Sequence, residues 1–153
     1  MVESKSSKPE SNRRVRILVV EDVPNVATVL KARLESFGDE ICAVADTGPK
    51  AIASTLSQHP DIVLMDIILV GEMNGIEAAS EILKKFDVPI IYLSCLNDQD
   101  VMDRAIETNP YGYILKPYDS AALRFAIENA LRKFRQDQER QALIADLERS
   151  RNE

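Results

Sequence analysis

The chain has 153 residues, 45% of them hydrophobic and 29% charged, and a formal net charge of −6. That mix fits one globular domain and excludes disordered and fibrous classes; the acidic balance speaks against nucleic-acid or anionic-membrane partners, and no apolar run approaches the roughly 18 residues of a membrane span. Two cysteines, Cys42 and Cys95, cannot build a disulfide framework and fit a reducing, cytoplasmic setting.

Residues 1–14 are polar and read as a disordered tail. The first apolar run, Val15 to Val20, is short and β-branched, as a buried strand requires. Glu21 and Asp22 follow it at once. Pro24 suits the first turn of a helix, and Val26, Val29, Leu30, Leu34 and Phe37 recur at helical spacing until Gly38 stops the run. Glu40 to Ala45 is a second strand. Asp46 to Pro49 starts a helix marked by Ala51, Ile52 and Leu56, ending near His59-Pro60.

Asp61 to Asp66 is a third strand, apolar until its terminal acid. A loop over Ile67 to Asn74 leads into a helix faced by Ile76, Ala79, Leu83 and Phe86. Val88 to Ser94 is a fourth strand that ends in a hydroxyl, and Asn97 can cap the helix after it. Tyr111 to Leu115 is a fifth strand, followed by Lys116-Pro117. Ser120 opens a long helix faced by Leu123, Ile127, Ala130 and Phe134.

Strand then helix, five times, with near-continuous apolar strands, gives an α/β doubly wound sheet of five parallel strands covered on both faces. In such sheets ligands bind beyond the carboxyl ends of the strands. Those ends carry Glu21 and Asp22, Asp66, Ser94 and Lys116. Each alone reads as a turn or cap residue; the five together, each at a strand end, read as one site. Three carboxylates held close repel one another unless a cation intervenes, and hard oxygen donors in an open site suit Mg²⁺ and phosphate oxygens. A carboxylate beside a metal is a competent nucleophile toward phosphorus.

The charge distribution agrees. Residues 1–14 carry +2 and 132–153 carry +1, which leaves −9 on residues 15–131. The surplus acid sits in the folded part.

Between Val15 and Phe134 the sequence resembles the receiver domain of two-component response regulators. The elements that carry the resemblance are Ile17 to Asp22, Pro60 to Asp66, Asn74 to Glu77, Leu93-Ser94 and Tyr113 to Pro117. It implies a flavodoxin-like fold with strand order 2-1-3-4-5. It implies Asp66 as phosphoacceptor, Asp22 and Asp66 with the Ile68 backbone carbonyl as Mg²⁺ ligands, and Glu21 acting on the metal through water. Lys116 would bond the phosphoryl group. Ser94 and Tyr113 would be the switch pair, and Lys116-Pro117 a cis peptide. The donor of phosphate would be a histidine kinase or phosphotransfer protein, and the fourth helix, fifth strand and fifth helix would face the output partner. Domains are then expected at 15–134 for the receiver and 135–153 for a helical extension.

Three features depart from the common pattern. The loop Ile67 to Asn74 is about one residue longer, and Cys95, read as a small buried hydrophobe, follows the switch hydroxyl. Ile68 and Leu96 stand two residues after Asp66 and Ser94, where polar side chains help place the hydrolytic water, so slow loss of phosphate is expected. His59, the single histidine, reads as an exposed turn residue. Tyr111 and Tyr113 are placed by alternation on one face, with packing as the use of Tyr111.

No Gly or Pro interrupts residues 120–149. Leu123, Ile127, Ala130, Phe134, Asp137, Gln141 and Ile144 follow a heptad with a polar centre. The extension reads as a signalling helix or a weak coiled-coil seam through which the chain could form a homodimer, against the alternative of a solvated tail. It is too short for an output domain, so the chain stands alone or belongs to a larger protein such as a hybrid sensor kinase. A Mg²⁺-dependent phosphohydrolase with an aspartyl nucleophile is the competing reading. It needs a second acid where Ile68 stands. A flavin carrier is disfavoured by the acidic, Gly-free loop Glu21 to Pro24.

Overall fold

Strands β1 (Arg16–Val20), β2 (Glu40–Ala45), β3 (Ile62–Asp66), β4 (Ile90–Ser94) and β5 (Gly112–Leu115) alternate with helices α1 (Pro24–Ser36), α2 (Gly48–Gln58), α3 (Gly75–Lys85), α4 (Gln99–Glu107) and α5 (Ser120–Asn152). This is a computed structural model that describes residues 13–95 and 99–152. The readings of residues 1–12 as a tail, of Leu96 beside the site and of Asn97 as a cap lie outside the described residues. Arg13 and Arg14 are held by the domain: Arg13 pairs with Asp61 at 3.7 Å, and Arg14 donates to the Gly38 and Asp39 carbonyls.

All strand pairs are parallel, in the order β2-β1-β3-β4-β5. β1, β3 and β4 are central, and apart from Arg16 every one of their residues is buried. That is why they read as unbroken apolar runs rather than as alternation. One face packs Leu18, Val20, Val63, Met65, Ile90 and Tyr92 under Ala51, Ala78, Ala79, Ile82 and Ala105, from α2, α3 and α4. The opposite face packs Ile17, Val19, Ile62, Leu64, Ile91 and Leu93 under Leu30, Leu34, Leu123 and Ile127, from α1 and α5.

Three local expectations are corrected, the third in α2. In α1 the buried stripe is Ala27, Leu30 and Leu34, while Val26 and Val29 are exposed. Residues 27, 30 and 34 share one face, and 26 and 29 lie about one residue's rotation, some 100°, behind it. Tyr111 and Tyr113 pack on opposite faces of the sheet. Tyr111 precedes the first residue of β5, so strand alternation does not govern it. The turn before it runs through Asn109, whose φ is 56°.

Helix α2 stops where expected. Thr47 caps its start by accepting from the Lys50 amide, and exposed His59 adopts φ 50° at its end. Leu56, read as part of the buried face, points to solvent. Helix α5 is continuous over 33 residues, about 50 Å at 1.5 Å per residue. Its buried face runs through Leu123, Ile127 and Ala130. Further along, Leu143, Ile144 and Leu147 are exposed.

Candidate functional site

Register places the acids. Val20 of β1 lies beside Met65 of β3, so Glu21 and Asp66 come next to each other as the strands end. Ser94 lies beside Leu115, so Lys116 follows at the same edge, and its amide donates to the Ser94 carbonyl at 2.8 Å. Five residues read separately from the sequence thus meet at one edge of the sheet.

Glu21, Asp66 and Ser94 are the buried polar residues here. The Lys116 ammonium donates to Glu21 Oε1 and to Asp66 Oδ2, each at 3.2 Å. Oxygens of Glu21, Asp22 and Asp66 lie within 4.8 Å of one another. Backbone amides orient the acids further. Glu21 Oε2 accepts from Val23, Asp66 Oδ1 from Ile68, and Asp22 Oδ2 from Val70.

The electrostatics follow from burial. Desolvation, a hydrogen bond with Asp66 and the Asp66 charge push the Glu21 carboxyl up to about 7, against the opposing pull of the Val23 amide and Lys116. Burial works to lower Lys116, but Asp66 and Glu21 outweigh it and hold its pKa above the usual value. Among the described residues one ammonium faces three clustered carboxylates, which leaves the edge short of positive charge. An all-oxygen donor set of that kind, open on one side, fits a hard divalent cation such as Mg²⁺.

The loop over the site is held by a helix cap and by close backbone approach. Asn74 caps α3: its side chain accepts from the Glu77 amide while the Glu77 carboxylate accepts from the Asn74 amide. Asn-x-x-Glu before an apolar run is the sequence signal for this. Gly75 is required by close approach, since a Cβ there would meet the Asp66 carbonyl at 2.0 Å. Met73 from the longer loop lies against Gly48 and packs on the core.

The Lys116–Pro117 bond is cis. Tyr113 is turned inward, its ring edge-to-face with Tyr92 at 6.3 Å and its hydroxyl buried without a hydrogen-bond partner among the described residues. Ile68 is exposed. Cys95 is exposed too, which corrects its reading as a buried hydrophobe. Val26, Val29, Pro117 and Tyr118 line a shallow apolar cleft beside Lys116.

Comparison with known proteins gives a consistent picture. The family model for the response regulator receiver domain matches residues 17–128. Transcriptional regulatory protein PdtaR of Mycobacterium tuberculosis is 34% identical over 121 residues, covering 79% of this chain and 58% of that protein. Phyllosphere-induced regulator PhyR of Methylorubrum extorquens is 29% identical over 132 residues, covering 86% of this chain and 49% of its own length. This chain therefore spans about half the length of such relatives. Among solved structures, the signal receiver domain of a modulated diguanylate cyclase from Desulfovibrio desulfuricans superposes with a TM-score of 0.78 at 34% identity, covering 82% of this chain and 99% of that one.

Proposed function

The chain belongs to the response regulator receiver family of two-component systems, and from that premise we propose that Asp66 is its phosphoacceptor, taking a phosphoryl group from a histidine kinase or phosphotransfer protein. The observation that carries the assignment is the Lys116 ammonium 3.2 Å from both Glu21 and Asp66, at an edge where three carboxylates converge within 4.8 Å.

Glu21, Asp22, Asp66 and the Ile68 carbonyl would hold Mg²⁺. When bound, the ion supplies the positive charge that lets an anionic phosphodonor approach three acids. Asp66 then attacks phosphorus in line: a bond forms from its carboxylate oxygen, the bond to the donor's leaving atom breaks, and an acyl phosphate remains. Lys116, already aimed at Asp66, holds a phosphoryl oxygen as a point charge. Ser94 donates to another. These new bonds bias a two-state equilibrium in which Ser94 and inward-turned Tyr113 are the moving pair.

The donor has to reach Asp66 from the open edge. The cleft of Val26, Val29, Pro117 and Tyr118 beside Lys116 is apolar surface suited to seat it. The output surface is assigned to α4, β5 and α5, which carry exposed Ile106, Leu115 and Phe125. Residues 15–134 are the receiver proper and 135–153 an extension that passes the state to an output unit or to a second copy of the chain.

Labelling by a small acyl phosphate tests the assignment. It should require Mg²⁺ and disappear in Asp66→Asn; labelling that persists in that variant overturns it. Molar mass in solution with and without beryllofluoride and Mg²⁺ tests the homodimer, which predicts a doubling in the presence of the mimic.

A further inference from the structure

Helix α5 outlasts its apolar seat, and what holds it past that point is polar and directional. Phe134 is the last aromatic against the domain. Its ring meets the Tyr111 ring edge-to-face at 5.7 Å. One turn on, the Tyr111 hydroxyl donates to Asp137 Oδ2 at 2.5 Å, and Asp137 Oδ1 takes Arg140 at 3.2 Å. The Gln138 side-chain amide donates to Asp87. Burial, the hydrogen bond to Asp137 and then the Asp137 charge raise the Tyr111 hydroxyl to about 12, so it stays a donor at neutral pH.

These partners are not scattered. Asp87 lies just ahead of β4, whose far end is Ser94. Tyr111 lies just ahead of β5, whose far end leads to Lys116. The Tyr111 amide also donates to the Ile90 carbonyl at 2.8 Å, tying the two strand entrances together. At about 3.3 Å per residue each strand is a short rod reaching from the acidic edge to α5.

We propose that Tyr111, Phe134, Asp137, Gln138 and Asp87 form a clamp that couples the phosphoryl edge of β4 and β5 to the angle and order of the helical extension. The input half of the proposal rests on Asp66 being the phosphoacceptor; the clamp itself does not. Beyond Gln138 the helix lacks a buried apolar face among its described residues, and a segment of that length is marginal alone in water. Its order therefore depends on its last anchored turn. Residues 139–152 extend about 21 Å beyond the clamp at 1.5 Å per residue, so a small shift of the strand entrances becomes a displacement of several ångströms at the tip. Coupling is reciprocal: whatever grips the extension feeds back on the acidic edge.

Amide hydrogen exchange on the full chain tests this, in wild type, Tyr111→Phe and Gln138→Ala, with and without beryllofluoride plus Mg²⁺. Tyr111→Phe keeps the ring contact and removes one hydroxyl; Gln138→Ala changes an amide at the surface, so both should fold. Without the mimic, exchange over 136–145 should rise about three- to tenfold in either variant, the effect of one lost charge-assisted bond on local opening. In wild type the mimic should alter protection there, and in both variants that response should fall by half or more. Unchanged exchange in both variants overturns the clamp. Faster exchange with an undiminished response to the mimic overturns the coupling. A mimic that leaves even the β3–α3 loop untouched in wild type overturns the phosphoacceptor reading and the coupling with it, while the comparison without the mimic still decides the clamp.

Discussion

Replacing Lys116 by Met isolates what one ammonium does at the acidic edge. In the wild type it bridges Glu21 and Asp66 at 3.2 Å each, both residues being buried. The variant leaves them side by side with no cation. Removing one partner of a buried pair costs about 3–5 kcal/mol, and the partial exposure of Lys116 trims that to about 2–3 kcal/mol at pH 8. The loss has a pH sign. The Glu21 pKa is raised in the folded state, to about 7 from 4.5, so its contribution to stability is full below 4.5 and is lost as pH rises through 7. Lys116 opposes that rise; without it Glu21 goes higher still and the loss with pH steepens. At pH 5.5 Glu21 is mostly protonated in both proteins, and the difference should shrink to about 1 kcal/mol. Urea unfolding at both pH values, with and without Mg²⁺, measures this. Mg²⁺ should return most of the loss at pH 8. A loss equal at both pH values and indifferent to Mg²⁺ would mean that Lys116 acts by packing alone, and the electrostatic reasoning would fail.

Asp66→Asn removes the charge and the hydrogen bond that help raise Glu21, so carbon-detected carboxyl titration should show Glu21 moving down from about 7; an unmoved value would place its perturbation in desolvation alone. Gly75→Ala forces a Cβ to within 2.0 Å of the Asp66 carbonyl, against the backbone of Asp66 and Ile67, and should cost about 3 kcal/mol or more in chemical unfolding. Gly38→Ala, at φ 96° in open space, should cost only about 1 kcal/mol; equal losses would contradict the close-approach argument. With Ile68 apolar and exposed above Asp66, the phosphorylated protein should persist for minutes or longer in Mg²⁺, and Ile68→Asn should shorten that; a wild-type lifetime of seconds would remove the argument.

The fold was legible because its signals are local and agree with one another. β1, β3 and β4 are continuous apolar runs since both faces are covered, and Gly38 and the His59-Pro60 pair mark helix ends by backbone chemistry. The convergence of the candidate residues was legible for a related reason: parallel register carries consecutive strand ends to one edge, so Glu21, Asp22, Asp66, Ser94 and Lys116 could be gathered without knowing any contact. What was not legible depends on position just outside regular elements. Tyr111 left the face its spacing assigned because the strand begins after it. Cys95 emerged into solvent because β4 ends at Ser94. Val26 and Val29 fit a helical period yet face outward, since α1 has more apolar residues than its buried stripe can hold. The Tyr111–Asp137 and Gln138–Asp87 bonds join residues 26 and 51 apart, and no local pattern announces them.

Whether Asp66 carries the phosphoryl group is decided by chemical trapping. Borohydride reduction traps an aspartyl phosphate as the reduced side chain, which peptide mass mapping then locates. After incubation with a small acyl phosphate and Mg²⁺, reduction is expected at Asp66 alone, and not when Mg²⁺ is chelated. Reduction at Glu21 or Asp22, a phosphoryl group on His59, or an unmodified Asp66 in the complete mixture would contradict it.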